Sequence, residues 1–285
     1  MDTLLLSILT STVVFLIFKA FKHYRIDTFQ AVVVNYLTAS LCGFTLFGDD
    51  WSWQFLDRPE WLYWGLGCSL LFLSLFSLIG LSSQRNGVAV TSVAVKMSLA
   101  LSMVLIALIH SESFSTIKSL GVIFALTGVF LVTVQRNPQR VEVAWLPIAL
   151  FFGSAVLDIL LNFVQKGVLG VVTPALFAAA CFGFAGFLGL TVCGVQSVRG
   201  VTRLSVQSAV AGIVLGIPNF FSIYLLIKSY RDVSWPDSSV LGVTNVGIVV
   251  LTALMGRVLY QEVLTRSRQV GLLCAVVAIA LLSLD

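Results

Sequence analysis

Along the chain, apolar runs of roughly 17–24 residues alternate with short polar breaks. They fall near 3–19, 29–47, 61–82, 88–109, 116–134, 144–165, 174–195, 205–228, 235–256 and 267–284. At about 1.5 Å per residue, each is long enough for the roughly 30 Å of hydrocarbon in a bilayer. Barrel strands would be about half that length and would alternate apolar with polar positions. These runs do not alternate, so the pattern predicts ten membrane-spanning helices. Pro147, Pro174 and Pro236 fall in first turns, where a missing N–H does no harm. Pro218 falls inside the eighth span and predicts a kink there, freeing the carbonyl of Val214 one turn earlier.

The pattern also repeats. "HSESFSTIKSLGVIFALTGVFLV" from His110 matches "YQEVLTRSRQVGLLCAVVAIALL" from Tyr260, with Glu112 on Glu262, Ser115 on Thr265 and Gly121 on Gly271. Further back, "FSLIGLSSQ" (Phe76–Gln84) resembles "FSIYLLIKS" (Phe221–Ser229). The reading is therefore two copies, residues 3–134 and 144–284, with five helices each. An odd number of helices makes the second copy enter the membrane upside down, the inverted repeat of many secondary transporters. The expected fold class is an all-α membrane protein of ten helices in two inverted five-helix repeats.

Composition agrees with the pattern. The chain is 58% hydrophobic and 11% charged, with a mean hydropathy of +1.01; a soluble domain is nearer 45–50% apolar and about 25% charged. The net charge of +4 is scattered through short loops, and no basic patch interleaves with aromatics, so a nucleic-acid partner is not expected. Cys42, Cys68, Cys181, Cys193 and Cys274 all fall inside apolar runs without a CxxC pair, as small buried hydrophobes. The first run follows an acid, Asp2, and precedes its basic residues, which reads as a span rather than a cleaved signal. With the loop after span 1 inside, inner loops carry eleven Lys/Arg and outer loops five, which puts both termini outside. The loop 48–60 and the tryptophans at span ends suit a membrane interface.

The tail segments carry a resemblance. "YQEVLT" followed by Gly271, and "HSESFS" followed by Gly121 and Gly128, are similar to the Glu-containing loop and glycine-bearing last helix that close each copy in EamA-type transporters of the drug/metabolite transporter superfamily. Both copies lack the family's glycine before the glutamate, and Ala278 stands where a later glycine is expected. The resemblance implies a carrier in the cytoplasmic membrane that exports or exchanges small metabolites, often coupled to an ion gradient. It also implies that helices 1–4 and 6–9 surround a central cavity while 5 and 10 are peripheral. Its members are often drawn with cytoplasmic termini, against the loop charges here.

Candidate chemistry follows from what is expensive in lipid. Among the acids only Asp158 lies within a span, and among the basic residues only Lys96 clearly does. Ionisable groups at membrane depth mark substrate or ion pathways by default. Counted from the inner side, Lys96 lies roughly 12 Å deep and Asp158 roughly 21 Å. A direct or water-bridged pair between them is expected, with a structural pair as the plainer alternative. Asn35, Asn219 and Asn245 bring buried amides that need partners, and interhelical adhesion explains any one of them as readily as a ligand. Tyr36 offers a hydroxyl or ring that packing explains equally well. Glu112 and Glu262 sit in loops and suit helix capping or a gate contact.

The expected substrate-binding set is thus Lys96, Asp158, Asn35, Asn219, Asn245 and Tyr36, with Pro218 as the kink. No catalytic residue, metal or cofactor is expected. There is no H-E-x-x-H, no G-x-S-x-G elbow and no pair of intramembrane aspartates, which weighs against an enzyme. The expected partners are a small-molecule substrate, the lipid bilayer and a proton or other coupling ion, with a homodimer as one oligomeric option. Lys96 fits an anionic moiety and Asp158 an amine, so an amino acid or organic anion is the expected cargo. A lipid-carrier-linked flippase of the same superfamily is the alternative, and an intramembrane enzyme a more distant one.

Overall fold

The computed structural model describes residues 2–47, 60–110, 116–133, 143–167, 174–234 and 237–283. They form ten helices: α1 (Asp2–His23), α2 (Thr28–Phe47), α3 (Glu60–Arg85), α4 (Val88–His110), α5 (Thr116–Thr133), α6 (Trp145–Gly167), α7 (Pro174–Val198), α8 (Val206–Asp232), α9 (Asp237–Tyr260) and α10 (Arg266–Ser283). No strand occurs among the described residues. Eight of the helices, all but α6 and α10, are long and apolar enough to cross a membrane. The apolar stretch of α6 is shorter, Trp145–Leu161, and α10 opens on Arg266 and Arg268. The chain is a multi-pass membrane protein, all-helical among the described residues. Glu112, Ser115 and the tryptophan-bearing 48–59 segment lie outside the described residues.

Helix ends follow from local chemistry. A left-handed residue stops four helices: Arg25 (φ 53) after α1, Gly87 (φ 101) after α3, Gly200 (φ 68) after α7 and Gln261 (φ 50) after α9. In that conformation the next amides fold back onto free carbonyls, as when the Ile26 N–H bonds the Phe21 oxygen and the Glu262 N–H bonds that of Gly256. α8 runs unbroken through Pro218. Val214, whose carbonyl the proline leaves without its helical donor, is exposed.

The chain divides into two compact units. The first comprises residues 1–20, 78–158 and 222–285, and the second residues 21–77 and 159–221. α4, α5, α9 and α10 belong wholly to the first, and α2 and α7 to the second. α1, α3, α6 and α8 contribute to both, changing unit after Ala20, Ser77, Asp158 and Phe221. Each unit therefore draws on both halves of the sequence.

Small residues set the tightest packing in each unit. In the first, a Cβ on Gly128 would lie 3.0 Å from the Gly271 carbonyl oxygen, and one on Gly121 would lie 3.3 Å from that of Ala278. Position rises along α5 as it falls along α10, so the two helices are antiparallel. In the second, Gly43 meets Ala179 and Gly189 meets Val33 in the same antiparallel sense, bringing α2 onto α7. Close backbone approach of this kind is how helices associate where lipid removes the hydrophobic incentive. α5 and α10 use their glycines inward on each other, while Ile123, Phe130 and Leu273 remain exposed.

Candidate functional site

The candidate residues separate by unit. Lys96 on α4, Asp158 on α6 and Asn245 on α9 belong to the first; Asn35 and Tyr36 on α2, and Pro218 and Asn219 on α8, belong to the second.

In the first unit, Asp158 is the residue at which α6 leaves the unit. Its Oδ2 accepts a hydrogen bond from the Ser98 hydroxyl at 3.3 Å, and the Ser102 hydroxyl, which donates to the Leu99 carbonyl at 2.9 Å, also acts on it. Ser98 and Ser102 are one turn apart on α4 and so share a face. Lys96 acts on the carboxylate electrostatically but closes no ion pair with it within 4.0 Å. The reason is helical phase: two residues before Ser98, Lys96 leaves α4 on a different side. Both Lys96 and Asp158 are only half-buried. In place of a direct contact with Lys96, the carboxylate accepts from a serine hydroxyl with the cation close by. Asn245 is buried on α9.

In the second unit the polar groups are sealed. Tyr36 is 0% exposed. Its hydroxyl donates to the Phe72 carbonyl at 2.7 Å, and its ring lies 5.4 Å from that of Phe182 and 5.2 Å from that of Phe76. Asn35, also 0% exposed, has no hydrogen-bond partner at either amide atom. Its backbone carbonyl lies against α8, where a Cβ on Gly216 would approach it to 2.8 Å. Asn219 is likewise buried.

Two further constellations form at helix ends, with partners that the sequence does not name. Glu262 turns back into the first unit, where its Oε1 lies 3.0 Å from Lys19 Nζ and accepts the Val88 N–H at 3.1 Å. The carboxylate thus caps the positive end of α4 while neutralising a lysine of α1. Gly87 and Gly256 leave it room: a Cβ on either would come within 2.7 and 2.9 Å of Oε2. The Tyr260 hydroxyl donates to the Leu16 carbonyl at 2.8 Å alongside. The capping expected of Glu262 is what it does.

At one end of the second unit, Asp27 caps α2 through the Gln30 N–H at 3.1 Å, and Ser205 caps α8 through the Ser208 N–H at 3.3 Å. The Gln30 side chain joins them, donating to the Arg203 carbonyl at 3.0 Å and accepting from the Ser205 N–H at 2.9 Å. Their S-x-x and D-x-x spacing is visible in the sequence, but which caps meet is not. No group of three or more His, Cys, Asp or Glu side chains suited to a metal occurs among the described residues.

No family model matches the chain. An uncharacterized protein of Haemophilus influenzae is 26% identical to it over 287 residues, covering 98% of this chain and 96% of that one.

Proposed function

We propose that this protein is a secondary transporter, built as ten spans in two inverted five-helix repeats, that moves a small polar metabolite across the cytoplasmic membrane. The observation that carries the reading is the carboxylate of Asp158, accepting from Ser98 and acted on by Ser102 and Lys96, inside predominantly apolar helices. A membrane protein bears the cost of two ionisable groups at depth where they face a pathway or each other, and these two do not neutralise each other in an ion pair. Opposite charges held a short distance apart, each half-buried, fit a zwitterion: Lys96 for a carboxylate and Asp158 for an amine. An organic anion would use Lys96 alone.

The packing supports the duplicated architecture. One constant shift aligns Gly121 with Gly271, Ala125 with Ala275 and Gly128 with Ala278. Exchanging the copies turns the Gly121–Ala278 contact into Gly128–Gly271, and both occur. Another shift turns Gly43–Ala179 into Val33–Gly189, and both occur again. The aligned Ser77 and Ser222 sit where α3 and α8 change unit. Antiparallel contacts that exchange in this way suit a two-fold axis in the membrane plane. With the tail motifs, this favours the EamA-type reading, a carrier working in the export direction rather than an enzyme.

The test is a substrate screen in proteoliposomes with amino acids and organic acids, with and without a pH gradient. Saturable movement of one of these classes that is strongly slowed in Asp158→Asn is expected. Movement of hydrophobic cations alone would remove the role given to Lys96.

A further inference from the structure

Ser98 and Ser102 each offer one proton to two acceptors. The Ser98 oxygen lies 2.6 Å from the Val95 carbonyl oxygen and 3.3 Å from Asp158 Oδ2. Ser102 lies 2.9 Å from the Leu99 carbonyl oxygen, one turn on from Ser98, and is the second hydroxyl that acts on Asp158. A hydroxyl has a single hydrogen to donate, so it cannot serve both.

Which acceptor wins depends on the carboxyl group. An ionised carboxylate only accepts, and it accepts more strongly than a carbonyl already engaged in its helix. Both serine hydrogens then turn to Asp158. When a proton from water adds to one carboxylate oxygen, the group becomes a donor and gives that hydrogen to a serine oxygen. The serine hydrogens return to Val95 and Leu99. Hydrogen bonds from serine back to the preceding turn bend a helix slightly, and Val95 and Leu99 flank Lys96 on α4. Among the described residues, the charged group acting on Asp158 is Lys96.

We propose that Asp158 is the coupling-proton site of the transporter, and that Ser98 and Ser102 are positioning residues that convert its protonation into a change of hydrogen bonding along α4 beside Lys96. The proposal rests on the transport reading for its purpose, although the switch itself is a property of the protein without cargo. No covalent bond to the cargo forms or breaks; the proton enters from water and returns to water.

The experiment is infrared difference spectroscopy of the full chain in phosphatidylethanolamine–phosphatidylglycerol vesicles, comparing mildly acidic with mildly alkaline buffer. A protonated-carboxyl stretch is expected that is lost in Asp158→Asn. It should move to higher frequency in whichever of Ser98→Ala and Ser102→Ala removes the serine that accepts the carboxyl hydrogen, and return in the corresponding threonine variant. The threonine variants keep the measurement available if an alanine variant fails to fold. A spectrum without an Asp158-dependent stretch, or one unmoved by both alanine changes, overturns the proposal. Failure of the transport reading looks different: the stretch behaves as described while no amino acid or organic acid moves in the vesicle screen.

Discussion

Two sets of polar groups lie deep in apolar helices here, and they are treated in opposite ways. On α2, Tyr36 is walled in by Phe72, Phe76 and Phe182 with its hydroxyl satisfied, and Asn35 is closed off beside it. On α4 and α6, Lys96 and Asp158 are only partly buried, and the carboxylate accepts from a serine hydroxyl that has a second acceptor. Burial alone therefore does not set how available a polar group is in a membrane chain. What differs is whether the group keeps capacity to bond something else: Tyr36 has spent its donor, whereas Lys96 has its ammonium uncommitted to Asp158.

The largest effect expected from this contrast is on transport. Asp158→Asn and Lys96→Ala should each slow cargo movement by about 10- to 100-fold, the worth of one lost hydrogen bond or contact to a charged group, while protein still reaches the membrane. Initial rates in vesicles, normalised to inserted protein, measure it. Wild-type rates in the apolar double variant Lys96→Met with Asp158→Leu would erase the contrast and leave a structural pair.

Gly128→Leu should instead act on folding. Its Cβ would meet the backbone of α10 at Gly271 and Ala275, so a loss of about 1–3 kcal/mol from overpacking is expected, seen as a lower unfolding midpoint in detergent. Gly194 has nothing within 4 Å of its Cβ position, and Gly194→Ala should be neutral or gain up to about 1 kcal/mol from helix propensity. Equal behaviour of the two would contradict the α5–α10 packing.

Asn35→Leu sharpens the comparison. Removing a buried amide without partners should raise stability by about 1–3 kcal/mol. If the second unit is packing alone, transport is unchanged; a more stable protein that no longer transports would restore Asn35 to the binding set. The smallest effect is expected from Tyr36→Phe, about 1 kcal/mol of stability for one neutral hydrogen bond, with unaltered cargo preference.

Much of the fold is legible in the sequence because lipid leaves a chain few options: every backbone group must bond internally, and a long apolar run can only be a helix. Lys96 and Asp158 stand out for the same reason, as charges where charges are rare. Ser98 and Ser102 do not, since serines are common in the spans and the rotation of α4 against α6 is a tertiary fact. Tail matching aligns Gly121 with Gly271, yet the contacts formed are Gly121 with Ala278 and Gly128 with Gly271, because equivalent residues lie across an antiparallel crossing rather than opposite each other. Tyr36 shows the converse: a hydroxyl flagged by its chemistry finds an adequate partner in the Phe72 carbonyl.

The Glu262 cap bears on how the protein is made. Lys19 is inserted with the first helix and the Val88 amide with the fourth, but the carboxylate that satisfies both arrives only after α9. Until then a ribosome-bound intermediate carries an uncompensated ammonium and an open helix terminus on the same side of the membrane. Early helices must wait in a provisional arrangement for a late one, and a chain interrupted before Glu262 would present those two groups together as a recognisable sign of incompleteness to the cell's membrane quality control.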